Sequence, residues 1–222
     1  MASIRPVILA TDDDARLDEP LYAINLLNRV RPWAYDTYNL LAYPVAKRVG
    51  ARPLIKGVDG ELIGGEGEVR ETILLVGYGD ATSFLKMARH PWFVVISALR
   101  KFGFDGFQFA FSKRLDGGPS RPPGGRSGEI LALFWPEDAE VDLADLRLRV
   151  SAAGSTLTFI AAKKAILAVD KDDGRGARPT RLAPPLPYGH VAVITGHPRT
   201  LTPLADELPD GASHAVRYRR TL

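Results

Sequence analysis

The chain has 222 residues, 45% apolar, 25% charged and 9% aromatic, enough for one substantial core or two of roughly 100 residues each. Its 29 Lys and Arg against 26 Asp and Glu leave a formal charge of only +3, which disfavours a dedicated nucleic-acid binder, and the absence of cysteine excludes disulfide scaffolds, thiolate metal sites and cysteine nucleophiles. No apolar run approaches the roughly 20 residues of a membrane span and Met1 to Pro6 carries no export signal, so a soluble, cytoplasmic protein is expected, with neither nucleic acid nor membrane as partner.

Pro6 to Thr11 reads as an extra N-terminal strand, ended by Asp12, Asp13 and Asp14. Leu21 to Val30 is an apolar run suited to a buried strand. At Pro32 a helical pattern begins, with Tyr38, Leu41, Ala42, Val45 and Val49 recurring at three and four, and Gly50 stops it. Pro53 to Ile63 reads as a hairpin arm turning at Asp59-Gly60, and Glu71 to Tyr78 as the next strand. Asp80 is a suitable N-cap for a helix burying Phe84, Met87 and Ala88. Pro91 interrupts or restarts that helix, and Val95, Ile96 and Leu99 resume its stripe. Phe107, Phe109 and Phe111 then alternate with Gln108, Ala110 and Ser112, the period of a strand.

Leu115 to Gly128 offers Gly and Pro in place of periodicity and reads as a mobile linker. Beyond it the same order recurs: strand Ile130 to Trp135, a helical face of Leu143, Leu146 and Val150 ending near Gly154, then strand Thr156 to Ala168. A long exposed loop covers Lys171 to Tyr188, followed by strand Val191 to Thr195, helix Pro203 to Leu208 and strand His214 to Tyr218. The repeat is one of pattern, not of residues. It predicts an α+β fold of two tandem ferredoxin-like βαββαβ units packed sheet to sheet as a pseudo-dimeric α/β barrel. The first unit with its extra strand covers 1–114, the linker 115–128, and a second, degenerate unit 129–222.

This arrangement resembles the dimeric α/β-barrel superfamily, which includes small-molecule monooxygenases, isomerases and haem-dependent enzymes. Within it, residues 21 to 112 resemble the family called domain of unknown function 1330. The resemblance is carried by Ala23-Ile24-Asn25-Leu26-Leu27, by Arg48-Val49-Gly50-Ala51-Arg52, by Gly79 to Met87, and by Pro91 and Arg100. The chain departs from that family in its His90-Pro91-Trp92 segment and in its fusion to a second half. The family has no agreed reaction, so the resemblance implies fold and little chemistry.

Imidazole titrates near neutral pH and ligates metals or haem iron, so the four histidines are the first candidates. His90 lies at the helix interruption beside Trp92 and Phe93, where a kink could aim it into a cavity; a surface histidine at a helix end is the bland alternative. His190 and His197 are seven residues apart and face opposite sides of a regular strand. His214 begins the last strand, where Arg217, Arg219 and Arg220 make a solvated edge at least as good a reading as an active site. No His-x-x-x-His pair occurs, and Asp12 to Asp14 read as a solvated turn, so no metal site is expected. The Gly64-Gly65-Glu66-Gly67 segment lacks the setting of a phosphate loop and reads as a turn.

Asn25, an amide in the middle of an apolar strand, either faces a semi-polar barrel or satisfies a buried partner. Facing the barrel, it would have Tyr38, His90, Trp92 and Arg100 as companions. The expected site therefore has His90, Asn25 and Tyr38 in catalytic roles and Trp92, Arg100 and Phe84 in substrate binding. Two functions remain open. One is binding of a small, largely apolar organic molecule, with a cofactor-independent oxygenase or isomerase as its enzymatic form. The other is a non-catalytic binding or assembly protein. A minority reading gives His90 a haem; otherwise no cofactor is expected. The chain is expected to be a monomer with an internal pseudo-dimer, or a homodimer.

Overall fold

The structure is a computed structural model that describes residues 4–10, 20–116, 128–171, 178–181 and 187–221; at 4–10, 81, 82, 85, 100, 101, 164–171 and 178–181 it describes the backbone alone. Among the described residues, five helices and ten strands follow in chain order: β1 (Ile4–Ala10), β2 (Leu21–Arg29), α1 (Pro32–Arg48), β3 (Arg52–Gly65), β4 (Thr72–Tyr78), α2 (Ala81–Ala88), α3 (Pro91–Gly103) and β5 (Phe104–Asp116), then β6 (Glu129–Pro136), α4 (Leu143–Ala152), β7 (Thr156–Lys171), β8 (Arg178–Arg181), β9 (Tyr188–Gly196), α5 (Pro198–Asp206) and β10 (His214–Arg220).

The hydrogen-bonded strand order is β1-β7-β5-β2-β4-β3-β10-β6-β9, with β8 and β9 also pairing β7. Taken by halves, it contains β5-β2-β4-β3 and β10-β6-β9-β7. In each, the half's own strands stand fourth, first, third and second, which is the ferredoxin-like order and makes the repeat of pattern a repeat of topology. The fold is α+β, in the class of tandem ferredoxin-like units that the alternating periodicities predict. β10 joins the halves edgewise, pairing β3 on one side and β6 on the other. Among the described residues, no helix is long and apolar enough to cross a membrane.

By compactness the chain divides into one unit of Met1–Arg52, Val76–Ser112 and Lys164–Leu186, and another of Pro53–Leu75, Lys113–Lys163 and Pro187–Leu222. The first unit's core lies between α1, α2, α3 and the strand face that presents Leu21, Ala23, Phe109 and Phe111, with Val45, Phe84, Met87 and Ile96 from the helices. The second unit's core sets Leu146, Val150, Leu201 and Leu204 from α4 and α5 against Leu131, Leu133, Trp135, Ile160, Ala192 and Ile194.

Local signals explain most boundaries. Pro32 stands at the first turn of α1, and Gly50 takes φ +77° just beyond its end, a conformation glycine adopts without steric cost. Asp80 Oδ1 accepts from Ser83 N at 2.6 Å, and α3 restarts at Pro91 as expected.

Several expectations change. Asp59-Gly60 is no turn, because β3 runs through it. Asp59 takes φ +58°, and the β3–β10 register shifts between Arg217 and Arg219, so the pair forms a bulge, another place where positive φ is needed. Leu115 and Asp116 belong to β5, where Asp116 is held by Arg147 Nε at 2.5 Å. Residues 117–127, like Asp12 to Asp14, lie outside the described residues. The span expected to be one long loop contains β8, paired to β7 from Ala168↔Arg181 to Lys171↔Arg178. Helix α5 starts five residues early, because His197 caps it through Arg199 N and Pro198 suits its first turn.

Candidate functional site

The expected first-half residues all fall in one unit, mostly in its helical layer. Asn25 shares the face of Leu21 and Ala23 by strand alternation and is in register with Phe109, so it stands on the helix-covered side of the sheet. Its Nδ2 donates to Ala23 O at 3.3 Å. Phe84 packs edge-on against Tyr78 at 5.5 Å and Phe111 at 4.9 Å, and lies 6.0 Å from Phe109. That makes it part of the apolar core. Tyr38 is half-buried and meets Phe93 edge-on at 6.1 Å. Trp92 donates its indole N–H to Leu41 O at 3.1 Å, tying α3 to α1. Arg100 lies in α3, with its side chain outside the described residues.

His90 bridges α2 and α3 through its backbone: its N–H donates to Met87 O at 3.1 Å and its carbonyl accepts from Val94 N at 3.0 Å. The Nδ1 atom is buried without a partner. The junction of the two helices therefore shields one imidazole nitrogen from solvent.

The second unit holds a different cluster. His214, for which the sequence leaves a solvated edge and an active site both open, is fully buried at 0% exposure, because β10 is a central strand flanked by β3 and β6. Its neighbour Ala215 belongs to the helix-covered core, so alternation sends His214, Val216 and Tyr218 to the other face of the sheet. There the imidazole stacks on Phe134 with centroids 4.7 Å apart and planes at 11°, while the Tyr188 ring lies 5.2 Å away. Phe134 and Tyr188 are themselves 4.7 Å apart.

Hydrogen bonds orient this histidine. Ser213 N and Ser213 Oγ both donate to Phe134 O, at 2.8 and 3.1 Å, and Ser213 Oγ lies 2.8 Å from His214 Nδ1. Nε2 is buried with no hydrogen-bond partner. Burial pushes the His214 pKa below the usual imidazole range, against an upward pull from a backbone hydrogen bond with Glu68.

The rest of the cluster is polar and aromatic. Burial raises the Tyr188 hydroxyl pKa, helped by the Glu68 charge, while Arg70 and the Glu68 backbone act the other way. Burial also raises Tyr218, with Tyr188 adding to it, and the Tyr218 hydroxyl has no partner. Arg70 Nη2 pairs with Glu68 Oε1 at 2.6 Å, leaving Arg70 Nε buried and unpaired.

The segment between β3 and β4 covers the imidazole. A Cβ built on Gly67 would overlap the His214 ring, so only glycine lets the backbone lie there, while residues 65–68 are exposed on their outer side. His214 is thus one chain thickness from solvent. The arrangement offers an unpaired imidazole nitrogen, guanidinium N–H and phenol on one sheet face. Alternation from Ser213-His214 to Tyr218 carried this signal in the sequence; what hid it was the run of arginines after His214, which suggested an edge.

His190 is in register with Trp135 and lies on the opposite, helix-covered face. Its Nδ1 is buried and unpaired, and burial lowers its pKa. His197 is used as a helix cap. Among the described residues, no group of three or more His, Asp or Glu is placed to hold a metal ion.

No family model matches the chain and no curated protein matches it, so the resemblance of residues 21 to 112 to domain of unknown function 1330 rests on the motifs that carry it. Solved structures are similar at a distance. A protein of unknown function from Rhodopseudomonas palustris is 22% identical over 45% of this chain and 85% of its own, with a TM-score of 0.40. A mutant chlorite dismutase from Candidatus Nitrospira defluvii is 8% identical over 91% of each chain, with a TM-score of 0.43. A haem-binding protein from Thermus thermophilus is 8% identical over 99% of this chain and 94% of its own, with a TM-score of 0.41.

Proposed function

We propose that the chain binds a small organic molecule in the second unit, at the sheet face where His214 and Tyr188 meet Phe134 and which Tyr218 shares further along β10. The observation that carries this reading is the unpaired Nε2 of a fully buried imidazole. A buried polar atom without a partner costs free energy on the order of 1–3 kcal/mol, which a hydrogen bond to a ligand would recover. The aromatic walls suit a flat, largely apolar body, and Arg70 Nε adds a donor for an oxygen on it. Entry requires displacing the Gly67 segment, which has no regular structure and is held at Glu66 N by Ser213 O and at Gly60 N by Glu71 O.

As an enzyme, such a site would do proton chemistry: Nε2 takes a proton from an acidic O–H or C–H, and the flanking phenols and Arg70 stabilise the anion left behind. This fits the isomerase or cofactor-independent oxygenase expected from the superfamily resemblance. A second reading keeps the ligand, or a haem, at His90, and its support is the buried, unpaired Nδ1 there.

Native mass spectrometry of the purified full chain, with an absorption spectrum, tests both. Retention of an organic mass that His214→Ala abolishes and His90→Ala leaves intact supports the second-unit site. The reverse pattern, or a Soret band lost in His90→Ala, assigns the ligand to the first unit and defeats the His214 reading.

A further inference from the structure

The helical layer of the first unit exposes large apolar side chains on its outer side as well as burying them on its inner one. Inward, α3 buries Phe93 and Ile96; outward it exposes Trp92, Val94, Val95 and Phe102, with no charge among the described side chains of that face. A contiguous exposed apolar patch on a helical layer normally marks a contact surface. Beside it, α1 turns Trp33, Leu40 and Tyr43 to solvent, Leu40 at 73% and Trp33 at 65% exposure. The two helices are tied together by the Trp92–Leu41 bond and the Tyr38–Phe93 ring contact, so their outer faces adjoin. In the second half the exposed faces of α4 and α5 carry one large apolar side chain, Leu148, among the described residues.

We propose that this face is a two-fold interface with a second copy of the chain, α1 packing antiparallel against its mate. Area is the first argument. Seven large side chains, each exposed by about half or more, present roughly 700–900 Å², close to the ~800 Å² each partner contributes to a stable interface. Self-complementary charge is the second. Asp36 and Lys47 are both exposed and lie eleven residues apart on α1, which places them within about 20° of the same stripe. A two-fold axis midway between them brings Asp36 of each copy opposite Lys47 of the other. The same axis lies midway between Leu40 and Tyr43, so these pack across it as a reciprocal pair. An isologous interface needs this reciprocity, and one apolar stripe bracketed by opposite charges supplies it.

Sedimentation velocity of the full chain across micromolar concentrations tests the proposal, with circular dichroism as the folding control. The wild type sediments as a dimer, and Leu40→Glu raises the dimer Kd by more than about tenfold. Asp36→Lys and Lys47→Asp each weaken the dimer by roughly fivefold, because each sets like charges opposite one another, and the double swap restores the wild-type Kd within about twofold. A wild type that is monomeric throughout overturns the interface, as does a dimer indifferent to Leu40→Glu. Single swaps without rescue overturn the antiparallel register. Monomeric binding to phosphatidylserine vesicles, lost in Leu40→Glu, would assign the face to a membrane surface instead.

Discussion

The two halves share one strand order and fill it differently. In the first unit, the strand face under the helices carries Phe109 and Phe111, which stack with Phe84 and Tyr78 into an aromatic cluster without a charged member. In the second unit, the face away from the helices carries His214 among Phe134, Tyr188 and Tyr218, and leaves imidazole, guanidinium and phenol atoms unpaired. The same topology therefore builds a layer whose cost of disruption is packing, and another whose cost of burial is unmet hydrogen bonding. Stability experiments should separate the two.

The largest effects belong to the packed layers. Trp135 is fully buried in the second unit's core, and its indole N–H donates to Asp210 O at 3.1 Å. Trp135→Ala should cost about 3–5 kcal/mol in chemical denaturation, and Phe84→Ala in the first unit a similar amount. If Phe84→Ala were nearly neutral while abolishing retention of a bound molecule, Phe84 would be a substrate contact, as the sequence suggests, and the contrast between the halves would fail.

Glycine substitutions come next. A Cβ on Gly64 would overlap the backbone carbonyl of Ala205 in α5, which cannot swing away, whereas a Cβ on Gly67 would overlap the His214 ring, which can. Gly64→Ala should therefore destabilise by about 1–3 kcal/mol. Gly67→Ala should cost less stability but change the titration of His214, followed by NMR of the ring protons. Equal melting losses in the two variants, with no change in that titration, would mean that Gly67 does not press on the imidazole.

The pH dependence is the third comparison. Burial lowers the pKa of both His214 and His190 below imidazole's usual value near 6.5. The unfolded chain thus takes up protons at a higher pH than the folded one. Stability is fully present above about pH 6.5 and is lost as the pH falls from there toward the folded values. His214→Gln should flatten part of that slope. A Tm that is level from neutral pH downward through this window would contradict buried, neutral imidazoles.

The sequence disclosed periodicity well and adjacency poorly. Alternation at Phe107 to Phe111, the restart at Pro91 and the Asp80 cap are local, and the structure repeats them. Asp59-Gly60 was ambiguous because a bulge and a turn both demand positive φ. Whether His214 was at an edge depended on strand order, which β3 settles from some 150 residues away in the chain. Asn25 was legible as an anomaly, but its face was not, since that depends on which side of β2 the helices cover. Gly67 looked like one more turn residue until the ring beneath it was placed.

The smallest expected effect compares one cap from each unit. Asp142 Oδ1 accepts from both Ala144 N and Asp145 N, at 2.9 and 3.0 Å, whereas Asp80 Oδ1 accepts from Ser83 N at 2.6 Å. Each satisfies backbone donors that the first turn of its helix leaves open, and each puts negative charge at the positive end of the helix dipole. Asp142→Ala should cost about 1 kcal/mol, and Asp142→Asn much less, because the amide oxygen still accepts while the charge is lost. The same pair of changes at Asp80 should follow the same order. Helix α4 buries Leu146 and Val150, so its fraying uncovers the second core. Hydrogen exchange in Asp142→Ala should therefore rise in the first turn of α4 before it rises in β6. Uniform exchange throughout the second unit would instead mean that α4 and its sheet open together and that the cap contributes only to global stability.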